Sequence, residues 1–229
     1  MKYAFDPEPA FAVPIEGSDR HYPVRRIFCV GRNYEAHARE MGAEVDREAP
    51  WYFTKSPANG VLSGSAVPFP QGTSNFHHEM ELALYLGAEA FQAPVQGAGD
   101  LVAGYSCALD MTRRDRQQDG KDARRPWDLG KDLENGTVLA PMSETWKPSA
   151  AARIHLEVNG ETRQDATLAE LIWSVDEVIS HLSHFYRLGP GDVILTGTPA
   201  GVGPVVAGDV ITGGIDGLPD ISHTLGDPE

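Results

Sequence analysis

His77-His78-Glu79-Met80-Glu81-Leu82-Ala83-Leu84-Tyr85-Leu86 is the stretch on which the fold reading turns. Polar and apolar residues alternate until its apolar end, with Glu79, Glu81 and Ala83 on one side and Met80, Leu82 and Leu84 on the other. A period of two is that of a β-strand, and a strand is expected here. Two carboxylates two residues apart on a strand leave from the same face. The same pattern also fits two glutamates lining the wet face of an amphipathic strand. Neighbouring histidines on a strand point oppositely, so His77 and His78 are expected to be satisfied locally or to face solvent, not to share a zinc ion.

Outward from this segment, strands predominate. Arg26-Ile27-Phe28-Cys29-Val30-Gly31 reads as a strand ending at glycine, and Trp51–Lys55 as an aromatic strand that Ser56-Pro57 ends or places at a sheet edge. Phe69 to Asn75 reads as a loop. Val102 to Met111 is an apolar strand candidate with Asp110 at its end, and 153–159 alternates into Asn159-Gly160, a hairpin signal. Strand openings recur at Gly191 and Gly208, with the Gly-rich segment Thr196 to Gly203 between them. Asn33 to Met41 is expected to form one or two helical turns, followed by a polar loop from Gly42 to Pro50. Thr112 to Lys131 is charged and interrupted by proline, so a short helix and a long ordered loop are expected. Leu168 to Phe185 carries apolar residues at helical spacing and predicts the longest helix, stopped by Gly189 and Pro190. The expected class is α+β and β-rich, a mixed β-sheet roll, with residues 1–24 an N-terminal arm or hairpin covering one larger body, residues 25–229. No repeat and no Rossmann or Walker fingerprint is present.

Composition narrows the partners. The chain has 229 residues, enough to bury a core without staples, and a formal net charge of -14. That charge opposes binding to nucleic acid or an anionic membrane, so small molecules, metal ions and further copies of the chain are the expected partners. A dianionic substrate would then need a local cation and positive side chains. Cys29 and Cys107 sit in apolar runs and read as buried thiols. No stretch approaches the roughly 20 apolar residues that span a bilayer, and residues 1–17 lack a signal-peptide core. A cytoplasmic protein is expected.

Glu79, Glu81 and Asp110 can converge, with no cysteine or compact histidine cluster nearby. Oxygen-only donors suit Mg²⁺ or Mn²⁺ better than Zn²⁺. His37 and Glu40 lie one helical turn apart, the spacing of a histidine base with a carboxylate partner and equally of an exposed ion pair.

Six motifs in one order, Cys29 to His37 with Glu40, Tyr52 to Lys55, His78 to Glu81, Gly104 to Asp115, Pro126-Trp127 with Lys131, and Leu195 to Val202, resemble the fumarylacetoacetate hydrolase family. The similarity runs from about Arg26 to Gly217. The resemblance implies that family's catalytic-domain fold, with Glu79, Glu81 and Asp110 as ligands of Mg²⁺ or Mn²⁺. It makes His37 and Glu40 a catalytic dyad carried by a lid segment, and Lys131 the catalytic lysine. It further implies Arg114, Gln117 and Thr198 as substrate contacts, a 2,4-dioxo acid as substrate, and a homodimer; for such a substrate Arg114 or Lys55 is the expected partner of a distal carboxylate. Within the family, the acylpyruvate branch fits the short chain, the His-His-Glu-Met-Glu form and the Ile215 to Asp220 ending. Hydrolysis of a carbon–carbon bond in fumarylpyruvate, as in gentisate breakdown, is the expected activity. The alternatives are oxaloacetate decarboxylation, another acylpyruvate, or isomerisation or hydration of a 2-hydroxydienoic acid. Two departures from the family, Lys55-Ser56-Pro57 and the segment Asp132 to Leu139, bear on substrate preference and leave the ligand and dyad residues intact.

Overall fold

The computed structural model describes residues 2–40, 42 and 47–229. Met41, the last residue of the expected helix, and residues 43–46 of the expected polar loop lie outside the described residues.

Alternating and continuous apolar runs both become strands here, because the central ones are buried on both faces. A seven-stranded mixed sheet runs in the order Trp51–Lys55, Arg26–Gly31, Asp192–Leu195, Met80–Leu86, Val102–Asp110, Thr137–Leu139, Gly60–Leu62. Arg26–Gly31 pairs parallel with Asp192–Leu195, and Thr137–Leu139 parallel with Gly60–Leu62; the other pairs are antiparallel. A five-stranded mixed sheet, Glu161–Thr167, Arg153–Val158, Val210–Ile215, Ile221–Gly226, Ser65–Pro68, packs against it. Met80, Leu82, Leu84 and Leu86 point toward this second sheet, among Cys107, Leu109, Ile154, Leu156 and Ile211. The fold is α+β and strand-rich, with a curled mixed sheet, as expected.

The opposite side of the Met80–Leu86 strand is not wet. Ala83 and Tyr85 are fully buried beneath Val13, Ile15 and Tyr22, which come from a two-stranded hairpin, Ala12–Pro14 with His21–Pro23. The Tyr22 hydroxyl donates to Leu86 O at 2.7 Å and accepts from Gly191 N at 2.7 Å, which fixes the hairpin on the sheet. Each large apolar side chain buried here contributes about 1.5–3 kcal/mol, so a short, proline-rich segment can cover a central strand.

Two expectations need correction. The run from His77 to Leu86 is not one strand. Phe76–His78 belongs to a three-stranded sheet with Thr112–Arg113 and Gly203–Val205, and the chain enters the large sheet only at Met80, leaving Glu79 at the junction. The expected helix from Leu168 also starts late. A 3₁₀ turn, Leu168–Glu170, comes first, and the α-helix spans Val175–Ser183. Asn33 explains the delay, because its carbonyl takes Ile172 N–H at 2.8 Å and its side-chain oxygen takes Trp173 N–H at 2.7 Å, removing both donors from any helix. Ser174 and Glu177 then form a capping box that starts it.

Other boundaries agree with expectation. Arg26–Gly31 and Trp51–Lys55 are strands, the latter at the sheet edge, and Asn159-Gly160 makes the hairpin turn with φ of 53° and 78°. The charged segment holds two helices, Arg114–Asp122 and the short Asp128–Lys131, where one helix and a loop were expected. Both cysteines are free and buried. Among the described residues no helix is long and apolar enough to cross a membrane.

Candidate functional site

The break at Glu79 builds the site. Where the chain changes sheets, Glu79 O still accepts Asp110 N–H at 2.9 Å, so the ladder between the two strands carries past the junction. Glu79, Glu81 and the strand-terminal Asp110 therefore bring carboxylate oxygens within 4.8 Å of one another, all three side chains buried.

Three cations reach this cluster from three directions. Lys131, at the end of the Asp128–Lys131 helix, donates to Glu79 Oε2 at 2.6 Å, Asp110 Oδ2 at 2.7 Å and Thr112 Oγ1 at 2.7 Å. Lys55 donates to Asp110 Oδ1 at 2.7 Å and Met111 O at 3.1 Å. Arg114 binds the other oxygen of Glu79 and donates to Gln117 Oε1 at 2.7 Å. Burial by itself would raise the Glu79 carboxyl, but Lys131 and Arg114 outweigh it and hold that group well below the usual carboxylate range.

Glu81 differs. Among the described residues it makes no ion pair; it accepts Gly197 N–H at 2.6 Å. Burial, then the charges of Asp110 and Glu79, push its carboxyl well above the usual range. A buried carboxylate with two carboxylate neighbours and no cation of its own is stabilised by a proton or by a metal ion. The donor set is oxygen alone, and Glu79, Glu81 and Asp110 form a divalent-metal-binding cluster suited to Mg²⁺ or Mn²⁺.

The dyad approaches from the short helix Glu35–Glu40. His37 is buried, its Nδ1 lying 3.1 Å from Glu40 Oε2, and Glu40 in turn accepts Gly201 N–H at 3.1 Å from the Gly-rich loop. Burial lowers the histidine pKa below its ordinary value, with Glu79 and Glu40 acting in the opposite direction. The ring is thus a neutral base at physiological pH.

A small cavity of about 30 Å³ lies where these groups meet, lined by His37, the three carboxylates, Arg114, Lys131 and Thr198 together with Arg32, Lys121, Phe53 and Trp127. It shares Gly31, Arg32 and Trp127 with an outer cavity of about 340 Å³ bounded by Trp51 and Trp173. The inner space is on the scale of an ion or a single water, and the outer one has room for an organic acid.

These features place the chain among known proteins. Residues 26–225 match the family described as fumarylacetoacetate (FAA) hydrolase C-terminal. The chain belongs to the fumarylacetoacetate hydrolase family. It is 49% identical over 194 residues to the fumarylpyruvate hydrolase of Ralstonia sp., an alignment covering 82% of this chain and all of that one. It is 42% identical over 206 residues to a mitochondrial oxaloacetate tautomerase of Arabidopsis thaliana, covering 87% of this chain and 90% of that one. The crystal structure of fumarylpyruvate hydrolase from Pseudomonas aeruginosa, in complex with Mn²⁺ and pyruvate, superposes with a TM-score of 0.95 at 41% identity, over 99% of this chain and 100% of that one. The protein is an enzyme of this fumarylacetoacetate hydrolase family, built around the metal-binding cluster.

Of the family-derived site residues, His37, Glu79, Glu81, Asp110, Arg114, Lys131 and Thr198 line one cavity, with Glu40 beside His37. Lys55 and Gln117 do not line it. Lys55 is sealed under Asp110 with its side chain 0% exposed, and Gln117 orients Arg114. His77 and His78 stay out of the metal cluster: His77 Nε2 lies 2.8 Å from Asn75 Oδ1, and His78 Nδ1 lies 3.3 Å from Gln164 Oε1. Sequence reasoning missed Gln164, which accepts Met80 N–H at 3.0 Å and donates to Thr198 Oγ1 and Pro199 O at 2.8 Å each, tying the Gly-rich loop to the strand junction. Nothing local marks that glutamine in the alternating strand Glu161–Thr167 beyond being its sole buried position. Arg32 and Lys121 were also passed over, although the first stands inside the quoted Cys29 to His37 motif.

Proposed function

We propose that the enzyme hydrolyses the C3–C4 bond of an acylpyruvate, with fumarylpyruvate giving fumarate and pyruvate. Hydrolytic or isomerising chemistry on a 2-oxo or 2,4-dioxo acid is the broader class that the family and the metal cluster support. The observation that carries the narrower reading is the meeting of a neutral, carboxylate-oriented histidine with the cluster and a buried lysine at one cavity. That combination suits activation of water beside a chelated 2-oxo acid.

Glu79, Glu81 and Asp110 would hold the divalent ion, which would supply Lewis-acid charge toward a 2-oxo acid. Glu40 occupies Nδ1 of His37, so Nε2 is the atom that takes a proton from water. The water oxygen bonds to C4 as the C4 carbonyl pair moves to oxygen. Collapse of that oxyanion breaks C3–C4, giving the new carboxyl group and pyruvate as its enolate, which recovers the proton at C3. Lys131 is buried, and despite that burial Asp110 and Glu79 keep it protonated; with its three N–H groups already donated to Glu79, Asp110 and Thr112, it acts on developing negative charge as a fixed positive charge and not as a base. Phe53, its ring centroid 4.9 Å from Lys131 Nζ, and Trp127 limit water around that ammonium group.

A second reading is favoured by the likeness to oxaloacetate tautomerase. It uses the same 2-oxo acid clamp for proton transfer without an attacking water. Loss of the ultraviolet absorption of enolised fumarylpyruvate, followed with chelator-treated protein before and after Mg²⁺ or Mn²⁺, separates the two. Metal-dependent loss with equal yields of fumarate and pyruvate is expected. No loss in a folded, metal-loaded protein that interconverts the tautomers of oxaloacetate rejects hydrolysis in favour of the second reading.

A further inference from the structure

We infer that Arg32 and Lys121 form a subsite that reads the carboxylate at the far end of a dicarboxylic 2-oxo acid. This rests on the 2-oxo acid reading above and names which members of that class the enzyme selects.

Charge accounting around the cavity points to these two residues. Glu79 and Asp110 are ion-paired with Arg114, Lys131 and Lys55 on the floor. Arg32 and Lys121 also line the cavity, yet among the described residues neither has a carboxylate within ion-pair distance, the nearby Glu79, Asp110, Asp115 and Asp119 being paired with other cations. On a chain of net charge -14, two cations beside a site with no carboxylate partner among the described residues are conspicuous. Bringing like charges together is unfavourable unless an anion visits them.

Their placement fits the far end of a substrate. Arg32 is shared between the inner cavity and the outer one, whereas the three metal-binding carboxylates line only the inner one. Arg32 also adopts a left-handed conformation, φ 59°, just past the end of the Arg26–Gly31 strand. A long side chain rarely takes that conformation, and such residues cluster at ligand clamps. Lys121 comes from the last turn of the Arg114–Asp122 helix, with Nζ 5.4 Å from the Trp127 ring centroid. Burial, then Arg114, Arg32 and Lys131, lower its pKa to about 8, which agrees with an ammonium group facing other cations. A guanidinium and an ammonium can together bind both oxygens of one carboxylate.

The test compares two unreactive ligands that differ only in the terminal carboxylate, 2-oxoheptanedioate and 2-oxoheptanoate, by titration calorimetry on the Mn²⁺-loaded protein. The diacid is expected to bind about tenfold more tightly, a gap of the size one charge-assisted pair supplies. Lys121→Met and Arg32→Asn, the latter retaining a residue that tolerates the left-handed conformation, should each shrink that ratio several-fold, and the double variant should bring it to about one. Affinity for the monoacid should stay within about twofold throughout. Equal affinities in the wild type, or equal weakening of both ligands in the variants, would overturn the subsite while leaving the 2-oxo acid reading intact. Binding of neither ligand by the wild type would overturn both.

Discussion

The floor of the cavity and its dyad are held in place by different means. Glu79, Glu81 and Asp110 lie on or beside strands in the middle of a seven-stranded sheet, where every neighbouring residue from Met80 to Leu86 is buried. His37 and Glu40 ride on a six-residue helix, too short to be stable alone. That helix is tied down by a few contacts: Asn33 Nδ2 donates to Thr196 O at 2.8 Å and to Trp173 O at 3.1 Å, and Glu40 accepts Gly201 N–H. The difference predicts that metal binding and the proposed activation of water are lost separately.

The largest effect is expected at the floor. Glu81→Gln should abolish metal-dependent turnover and weaken Mn²⁺ binding by more than the roughly 10–100-fold that loss of an outer partner costs. It should not lower the melting temperature of chelator-treated protein, because the charge removed is one that burial disfavours. Calorimetric Mn²⁺ titration and thermal unfolding in chelator check both halves; unchanged metal affinity would remove Glu81 from the ligand set.

His37→Ala should leave Mn²⁺ affinity within about threefold and slow hydrolysis by about 10²–10⁴. Because burial holds the His37 pKa below its ordinary value, the deprotonated base persists as pH falls, and the acid limb of kcat/KM should lie below about pH 6.5. Loss of metal binding together with the rate would erase the distinction between floor and dyad.

Gln164→Leu probes the seam between them. It strands Met80 N–H and the Thr198 hydroxyl, which should cost about 1–3 kcal/mol in denaturant unfolding. Metal affinity should change little, since the ligands are held by the sheet.

Asp192→Asn tests the frame alone and should have the smallest effect. Burial would raise the Asp192 carboxyl, but hydrogen bonds from Arg26 and Arg25 lower it below its ordinary value. A depressed carboxyl stabilises the fold above the unfolded pKa of about 3.9 and loses that contribution as pH falls through the folded value. With side chains of Arg25 55% and Arg26 35% exposed, solvent screening limits the loss at neutral pH to about 1 kcal/mol. Stability measured against pH should show the gap between variant and wild type closing below about pH 4, with turnover at neutral pH unaffected.

Much of this architecture was legible before any coordinates. Arg26–Gly31 and Trp51–Lys55 are bounded by Gly31 and Ser56-Pro57, local signals that survive in any tertiary context. The Glu-x-Glu pair and Asp110 were legible as one chemistry once the ordered motifs were recognised. The start of the helix expected from Leu168 was not, because the donors of Ile172 and Trp173 are taken by Asn33, a residue far away in sequence.

By itself, the sequence determined the class of fold, the oxygen-rich ligand set and the family, because alternation, residue chemistry and motif order are local properties. Tertiary structure alone decided that Glu79 falls at a junction between two sheets, that a hairpin from the first residues seals the strand behind Glu81, and that Lys55 is spent on Asp110 while Arg32 and Lys121 are left facing the cavity. Those outcomes depend on which distant segments bury which charges, and burial is a property of the assembled chain.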